Sequence, residues 1–160
     1  GPGLPTGAVV SEQVLVEDVA PSVLETCGAP PLADIDGRSW MRLCNGNDPD
    51  WRSAWLYEYN YEKQFPYTPN IRGIRTDRFK FIRYPHGDGS PDRHKPELYD
   101  LSADPDERTN LAADPAHANS RATLERQLAE LLASFGLDQG RDTMPLDEGI
   151  KTALPDAKIR

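Results

Sequence analysis

The sequence predicts an α+β fold: a four-stranded antiparallel sheet packed against one long C-terminal helix, preceded by a strand-helix segment. Three observations lead there. Runs enriched in aromatic or β-branched residues, Ala54 to Tyr61, Ile71 to Thr76, Arg78 to Tyr84 and Glu97 to Leu101, follow one another with polar turns between them, the pattern of an antiparallel meander. Leu124, Leu128, Leu131 and Phe135 recur at helical spacing, and Leu132 widens the stripe. A chain of 160 residues can bury a core under such a sheet without disulfide staples, since a domain of about 150 residues removes roughly two-thirds of its unfolded surface from water.

Taken in order, Ser11 to Val16 alternates loosely and suits a short strand. Asp18 can cap a helix running through Val19, Val23 and Cys27; Pro21 is tolerated in its first turn and Gly28 is the expected stop. From Ala33 to Arg52 the chain is dense in Asp, Asn, Gly and Pro, which favours turns over periodic structure. Trp40, Leu43 and Trp51 are expected to pin this loop down. A tight turn at Asp77 makes the second and third runs a hairpin. Asp114-Pro115 can start the long helix and Gly136 can end it. Beyond it, Leu137 to Arg160 has little periodicity and reads as an extended tail. The expected divisions are therefore 1–49, 50–136 and 137–160.

Charge narrows the function. Eighteen Lys and Arg against 26 Asp and Glu leave a net charge of −8, which argues against generic nucleic-acid binding, where many cations neutralise phosphates. No stretch approaches the roughly 18 consecutive apolar residues of a membrane span. The start, Gly1-Pro2-Gly3-Leu4-Pro5, lacks the basic and apolar regions of a signal peptide. With no initial Met, the chain reads as a piece of something longer. Cys27 and Cys44 fit either a disulfide or two free thiols, with free thiols favoured.

Candidate chemistry is sparse. Asp34-Ile35-Asp36-Gly37 and the loop from His86 to Asp92 put carboxylates beside glycine, but neither has the further ligands of a calcium loop, and His86 with His94 lacks a compact third ligand for zinc. Ordinary turns explain both loops. No serine stands in a G-x-S-x-G setting, and His117 reads as a surface residue. Arg72, Arg75, Arg78, Lys80 and Arg83 concentrate positive charge on the hairpin. This is either the solvated face of alternating strands or a site for sulfate, phosphate or carboxylate. Trp55, Tyr57, Tyr59, Tyr61, Phe65 and Tyr67 are expected mostly in the core. Alternation sends Tyr57 and Tyr59 to one face and Glu58 and Asn60 to the other, where they could bind sugar hydroxyls if that face meets a cleft.

The order of motifs resembles the C-terminal portion of a formylglycine-dependent sulfatase. The resemblance rests on Pro2-Gly3-Leu4, the segment Val16 to Leu24, Asp36-Gly37-Arg38-Ser39, Tyr57-Glu58-Tyr59, the segment Gly73 to Ile82, Glu97 to Leu101, Asp104-Pro105-Asp106-Glu107 and Asn110-Leu111. The Tyr57-Glu58-Tyr59 stretch with Phe65-Pro66-Tyr67-Thr68-Pro69 is similar to bacterial glucosamine-6-sulfatases and mucin-desulfating sulfatases. The resemblance implies a large α/β domain N-terminal to this chain, holding calcium and a formylglycine made from a C/S-x-P-x-R motif. Cys27 is followed by Gly-Ala-Pro-Pro and Cys44 by Asn-Gly-Asn-Asp, so no catalytic or metal position maps here, and the chain alone is expected to be inactive.

What the resemblance does place here are candidate substrate contacts: Tyr57, Glu58, Tyr59, Asn60 and Arg72. Residues 1–49 would be the end of the sulfatase domain with its connecting loop, and 50–136 the smaller subdomain. The expected partners are that N-terminal domain and a sulfated carbohydrate. An unpaired strand and exposed apolar helix before residue 30 also favour a homodimer. Family export makes a periplasmic or secreted location the expectation. A stand-alone module binding sulfated glycans or a partner protein is the alternative.

Overall fold

The structure, a computed structural model, describes residues 4–46, 48–65, 68–86 and 95–138. Two compact units divide the chain, Gly1–Ser53 and Ala54–Arg160.

The first unit is built around one buried carboxylate. A single 3-10 turn, Val16–Asp18, leads into α1, Val19–Thr26, and the loop carries a short helix, α2, Met41–Cys44. Asp18 is fully buried. It does not cap α1 as the sequence suggests, because its oxygens are taken by the N–H groups of Leu15 (2.7 Å) and Arg38 (2.8 Å) and by both Nη atoms of Arg52. Burial alone would raise the Asp18 pKa; the Arg52 guanidinium and the two backbone donors outweigh it and hold the carboxyl below its ordinary value.

Ser22 continues the network. Its Oγ donates to the Asp18 carbonyl (2.7 Å) and accepts from the Trp40 N–H (3.1 Å). Gly37 is obligatory beside it, since a Cβ there would lie 2.0 Å from the Glu17 carbonyl oxygen. Leu43 and Trp51 are buried as expected, and the Trp51 indole donates to the Gln13 carbonyl. The strand expected over Ser11–Val16 has extended backbone at Leu15 but no ladder partner among the described residues. Without one, its pattern cannot make a sheet. Cys27 and Cys44 are free thiols.

The second unit is the predicted meander. Strands β1 (Ala54–Tyr59), β2 (Ile71–Thr76), β3 (Phe79–Arg83) and β4 (Glu97–Asp100) pair antiparallel in sequence order. Register puts Leu56, Ile74, Phe81 and Leu98 in one row across all four strands. That row faces α3, Ala118–Ser134, through Leu124, Leu128 and Leu132. Asp114 accepts from the Ala116 N–H to start the 3-10 turn ahead of α3, and Gly136 leaves it at φ +72.

Two expectations fail in an instructive way. Phe135, placed in the helical stripe, is exposed, because the buried stripe runs through Leu124, Leu128 and Leu132 at strict four-residue steps and Phe135 lies past the helix end. Among the described residues of the aromatic run only Tyr61 is buried, while Tyr57 and Phe65 are exposed. Strand alternation gives the core face of β1 to Ala54 and Leu56 instead, so the rings of Trp55, Tyr57 and Tyr59 stand on the other face of the sheet. Tyr67, His94 and the tail beyond residue 138 lie outside the described residues.

Candidate functional site

Polar side chains converge where β1 ends and β2 begins. Arg72 projects from β2 and is 1% exposed. Its Nη1 donates to the carbonyls of Ile71 (2.8 Å) and Tyr59 (3.3 Å), and its Nη2 to Asn60 Oδ1 (2.9 Å). A guanidinium can do this because its donors lie in a fixed planar fork. Asn60, exposed just past β1, is thereby held by its oxygen.

Beside this group Asn70 is fully buried. Its Oδ1 accepts from the Tyr61 N–H at 2.8 Å, which fixes which end of the amide is nitrogen. Nδ2 therefore donates to His86 Nδ1, 3.3 Å away. Three strand ends thus present a guanidinium, two amides and an oriented imidazole. Arg72 and Asn70 spend their donors inside the protein, which leaves the exposed Asn60 amide as the group able to meet the oxygens of sulfate or a sugar.

The five sequence candidates divide between places. Arg72, Asn60 and the Tyr59 carbonyl come together in this cluster. Glu58 pairs with Arg72 in the strand register but is exposed. Tyr57 and Tyr59 face the opposite side of the sheet. Burial first, then the charge of Glu62, pushes the Tyr59 phenol above its ordinary pKa.

That opposite side holds a groove of about 440 Å³ lined by Trp55, Tyr57, Gly73, Arg75, Lys80 and Glu107, among others. At its far margin Glu97 accepts from the phenols of both Tyr84 and Tyr99. Burial and then the Glu97 bond push Tyr99 up to about 12 and Tyr84 higher still.

Hairpin cations do not form one anion site. Arg72 is buried among carbonyls, Arg78 makes a two-pronged pair with Asp100, and Lys80 pairs with Glu107. Alternation also splits the strand cations, with Arg72 and Arg83 away from the groove and Arg75 and Lys80 toward it, while Arg78 lies in the turn between β2 and β3. The Asp104 to Asn110 segment is likewise architectural: Asn110 accepts from the N–H groups of Leu98 (3.0 Å) and Ala112 (2.9 Å), and Asp104 accepts from that of Thr109 (2.8 Å). Asn70 gave no sequence signal as a site residue, because an Asn after a Pro reads as an ordinary turn.

Similarity to known proteins extends over both units. The family described as N-sulphoglucosamine sulphohydrolase, C-terminal, matches residues 2–134. Arylsulfatase K of Gallus gallus is 32% identical over 122 residues, covering 70% of this chain and 21% of its own. The N-acetylglucosamine-6-O-sulfatase of Bacteroides thetaiotaomicron is 33% identical over 131 residues, covering 78% and 22%. Among solved structures, the phosphonate monoester hydrolase of Silicibacter pomeroyi superposes with a TM-score of 0.65 at 27% identity, over 83% of this chain and 28% of that one. The chain spans about a fifth of the length of these two curated relatives.

Proposed function

The chain belongs to the sulfatase family through its N-sulphoglucosamine sulphohydrolase C-terminal domain, and from that premise we propose that it is the C-terminal part of an enzyme hydrolysing sulfate esters of glycans. The observation that carries the reading is the match over residues 2–134, which runs through both units to the last residue of α3. The name of the Bacteroides relative points to 6-O-sulfated glucosamine as the substrate class. A periplasmic or secreted location follows from the same reading.

This chain's share is a wall of the substrate pocket. Hydrolysing a sulfate ester needs an activated nucleophile and a cationic clamp for developing charge, which in this reading are the formylglycine and calcium of an N-terminal domain. The residues here do not fit either group. Among the described residues no cluster of three or more His, Cys, Asp or Glu could hold a metal ion, and neither cysteine is followed by x-Pro-x-Arg. Asn60 is the proposed contact to substrate oxygens, Arg72 the residue that positions it and Glu58 the flanking surface, while Tyr57 and Tyr59, on the opposite face, fall outside this wall.

The test uses the full natural polypeptide with N-acetylglucosamine 6-sulfate and, alongside, an aryl phosphonate monoester. Sulfate release is expected. Asn60→Ala should raise KM about tenfold, since it removes one substrate hydrogen bond, and lower Tm slightly, since it also removes the acceptor of Arg72 Nη2. Arg72→Met should lower Tm as well, because it strips a donor from two buried carbonyls. Cleavage of the phosphonate ester without sulfate release, or an in-frame stop codon directly before Gly1, overturns the reading.

A further inference from the structure

The open face of the sheet carries a second feature that the proposed pocket wall does not use. Strand register aligns Trp55, Arg75, Lys80 and Tyr99 in a single row across all four strands. Two cations thus stand directly opposite each other between two aromatic rings, an arrangement that repels unless an anion intervenes. Glu107 supplies one, pairing with Lys80 from a residue held at φ +55. Arg75 donates to the Thr76 carbonyl and, among the described residues, pairs with no carboxylate. The row keeps one net positive charge on a chain whose total is −8.

Next to this row the floor drops. Gly73 occupies the middle of β2, and a Cβ there would come within 3.1 Å of the Phe81 carbonyl oxygen and 3.8 Å of Tyr57 Cβ. Glycine leaves a trough beside the Tyr57 ring, which is 46% exposed. The groove's volume of about 440 Å³ falls within the range of small-molecule sites. An aromatic wall, a shallow apolar floor and one uncompensated guanidinium at the end are complementary to a sugar ring carrying an anionic substituent. On such a ligand the C–H face would stack on Tyr57 and Trp55, and the anion would meet the Arg75 fork.

We propose that this groove is a second carbohydrate subsite, binding a sulfated sugar residue of the glycan away from the scissile ester. It rests on the sulfated-glycan reading above. Two separate measurements keep the two apart. The first is nitrogen-proton NMR of the chain titrated with glucosamine 6-sulfate, with unsulfated glucosamine and inorganic sulfate as comparisons. Saturable shifts of the Trp55 indole and the Gly73 amide are expected with the sulfated sugar only. Loss of the charge-assisted bonds in Arg75→Gln should weaken binding about tenfold or more. Tyr57→Ala, an exposed position with little folding risk, should weaken it about threefold or more.

Three results overturn the proposal: no saturable shift up to about 50 mM ligand, well into the range of negligible affinity; equal binding of sulfate alone, which makes it a plain anion site; or ligand-free shifts that grow with protein concentration alongside a dimer mass in light scattering, which give the face to a second copy. The second measurement is sulfate release by the full polypeptide. Hydrolysis without groove binding sinks this inference alone, whereas groove binding without hydrolysis sinks the proposed function alone.

Discussion

Asp18→Asn tests the first unit at its centre. The carboxylate is fully buried and accepts four hydrogen bonds, two from backbone N–H groups and two from Arg52, whose side chain is itself only 10% exposed. An amide has one oxygen where the carboxylate has two, and its NH2 would point at donors. Arg52 would be left as a buried charge with no counter-ion, a situation that costs about 3–5 kcal/mol. At 1.36 kcal/mol per factor of ten, amide exchange at Leu15 and Arg38 should accelerate by roughly a hundredfold to a few thousandfold if it proceeds by local opening. Replacing Arg52 as well, in an Asp18→Asn, Arg52→Met variant, should recover part of the loss because the stranded charge is gone. Acceleration below about tenfold, or a double variant no better than the single, would refute the claim that this ion pair locks the loop. The pH dependence has a definite sign. The folded pKa lies below the ordinary carboxylate value, so the stabilisation is complete above about pH 4 and is lost as pH falls through the depressed folded value.

Three other outcomes follow from named contacts. Of the six tyrosines, Tyr84 and Tyr99 should ionise last in an absorbance titration at high pH, Tyr99 near 12. Their raised values mean stability falls as pH rises from about 10, where the unfolded phenols ionise; six phenols titrating together at their ordinary value would remove the Glu97 bridge. Gly37→Ala should loosen the Arg38 amide roughly fivefold to 150-fold, because overpacking against rigid backbone costs about 1–3 kcal/mol. Gly28→Ala meets nothing within 4 Å and only the strain of φ +65, about 1 kcal/mol, so a larger loss at Gly28 than at Gly37 would reverse the ranking. Leu128→Ala in the α3 stripe should cost about 2–5 kcal/mol in urea unfolding, and a loss under 1 kcal/mol would mean α3 does not seal the core.

The meander and its helix were readable because each depends on local period. Alternation in β1 to β4, the 124–128–132 stripe and the Asp114 start are all written in neighbouring residues. What sequence could not supply was which polar residues meet over long separations. Asp18 reads as a helix cap because an Asp before an apolar run usually is one; its partners are 20 and 34 residues away. Glu107 stands in the sequence only as the end of the Asp104-Pro105-Asp106-Glu107 motif, yet its carboxylate serves Lys80, 27 residues back. The aromatic run misled for a different reason. Ring content raises strand propensity on either face, and only the register with β2 decided that Leu56, not Tyr57, faces Ile74.

That division explains what the family motifs encode. Gly37 permits the approach to the Glu17 carbonyl, Asp18 ties Arg38 and Arg52, and Asn110 satisfies Leu98 and Ala112. Each is a residue without which a buried backbone group would be left unpaired or a loop could not close, and each such loss costs about 1–3 kcal/mol. Contacts of this kind hold together the sulfatase C-terminal fold to which the chain belongs. In the proposed function, substrate contacts fall to side chains that these structural bonds do not use. The two positions proposed above are Asn60, exposed with its oxygen held by Arg72, and Tyr57, exposed on the open face. They sit at two separate places, the strand-end cluster and the open groove, so a change of substrate that alters one need not alter the other. The same separation lets a KM effect at Asn60 and a binding effect at Tyr57 be measured as independent quantities.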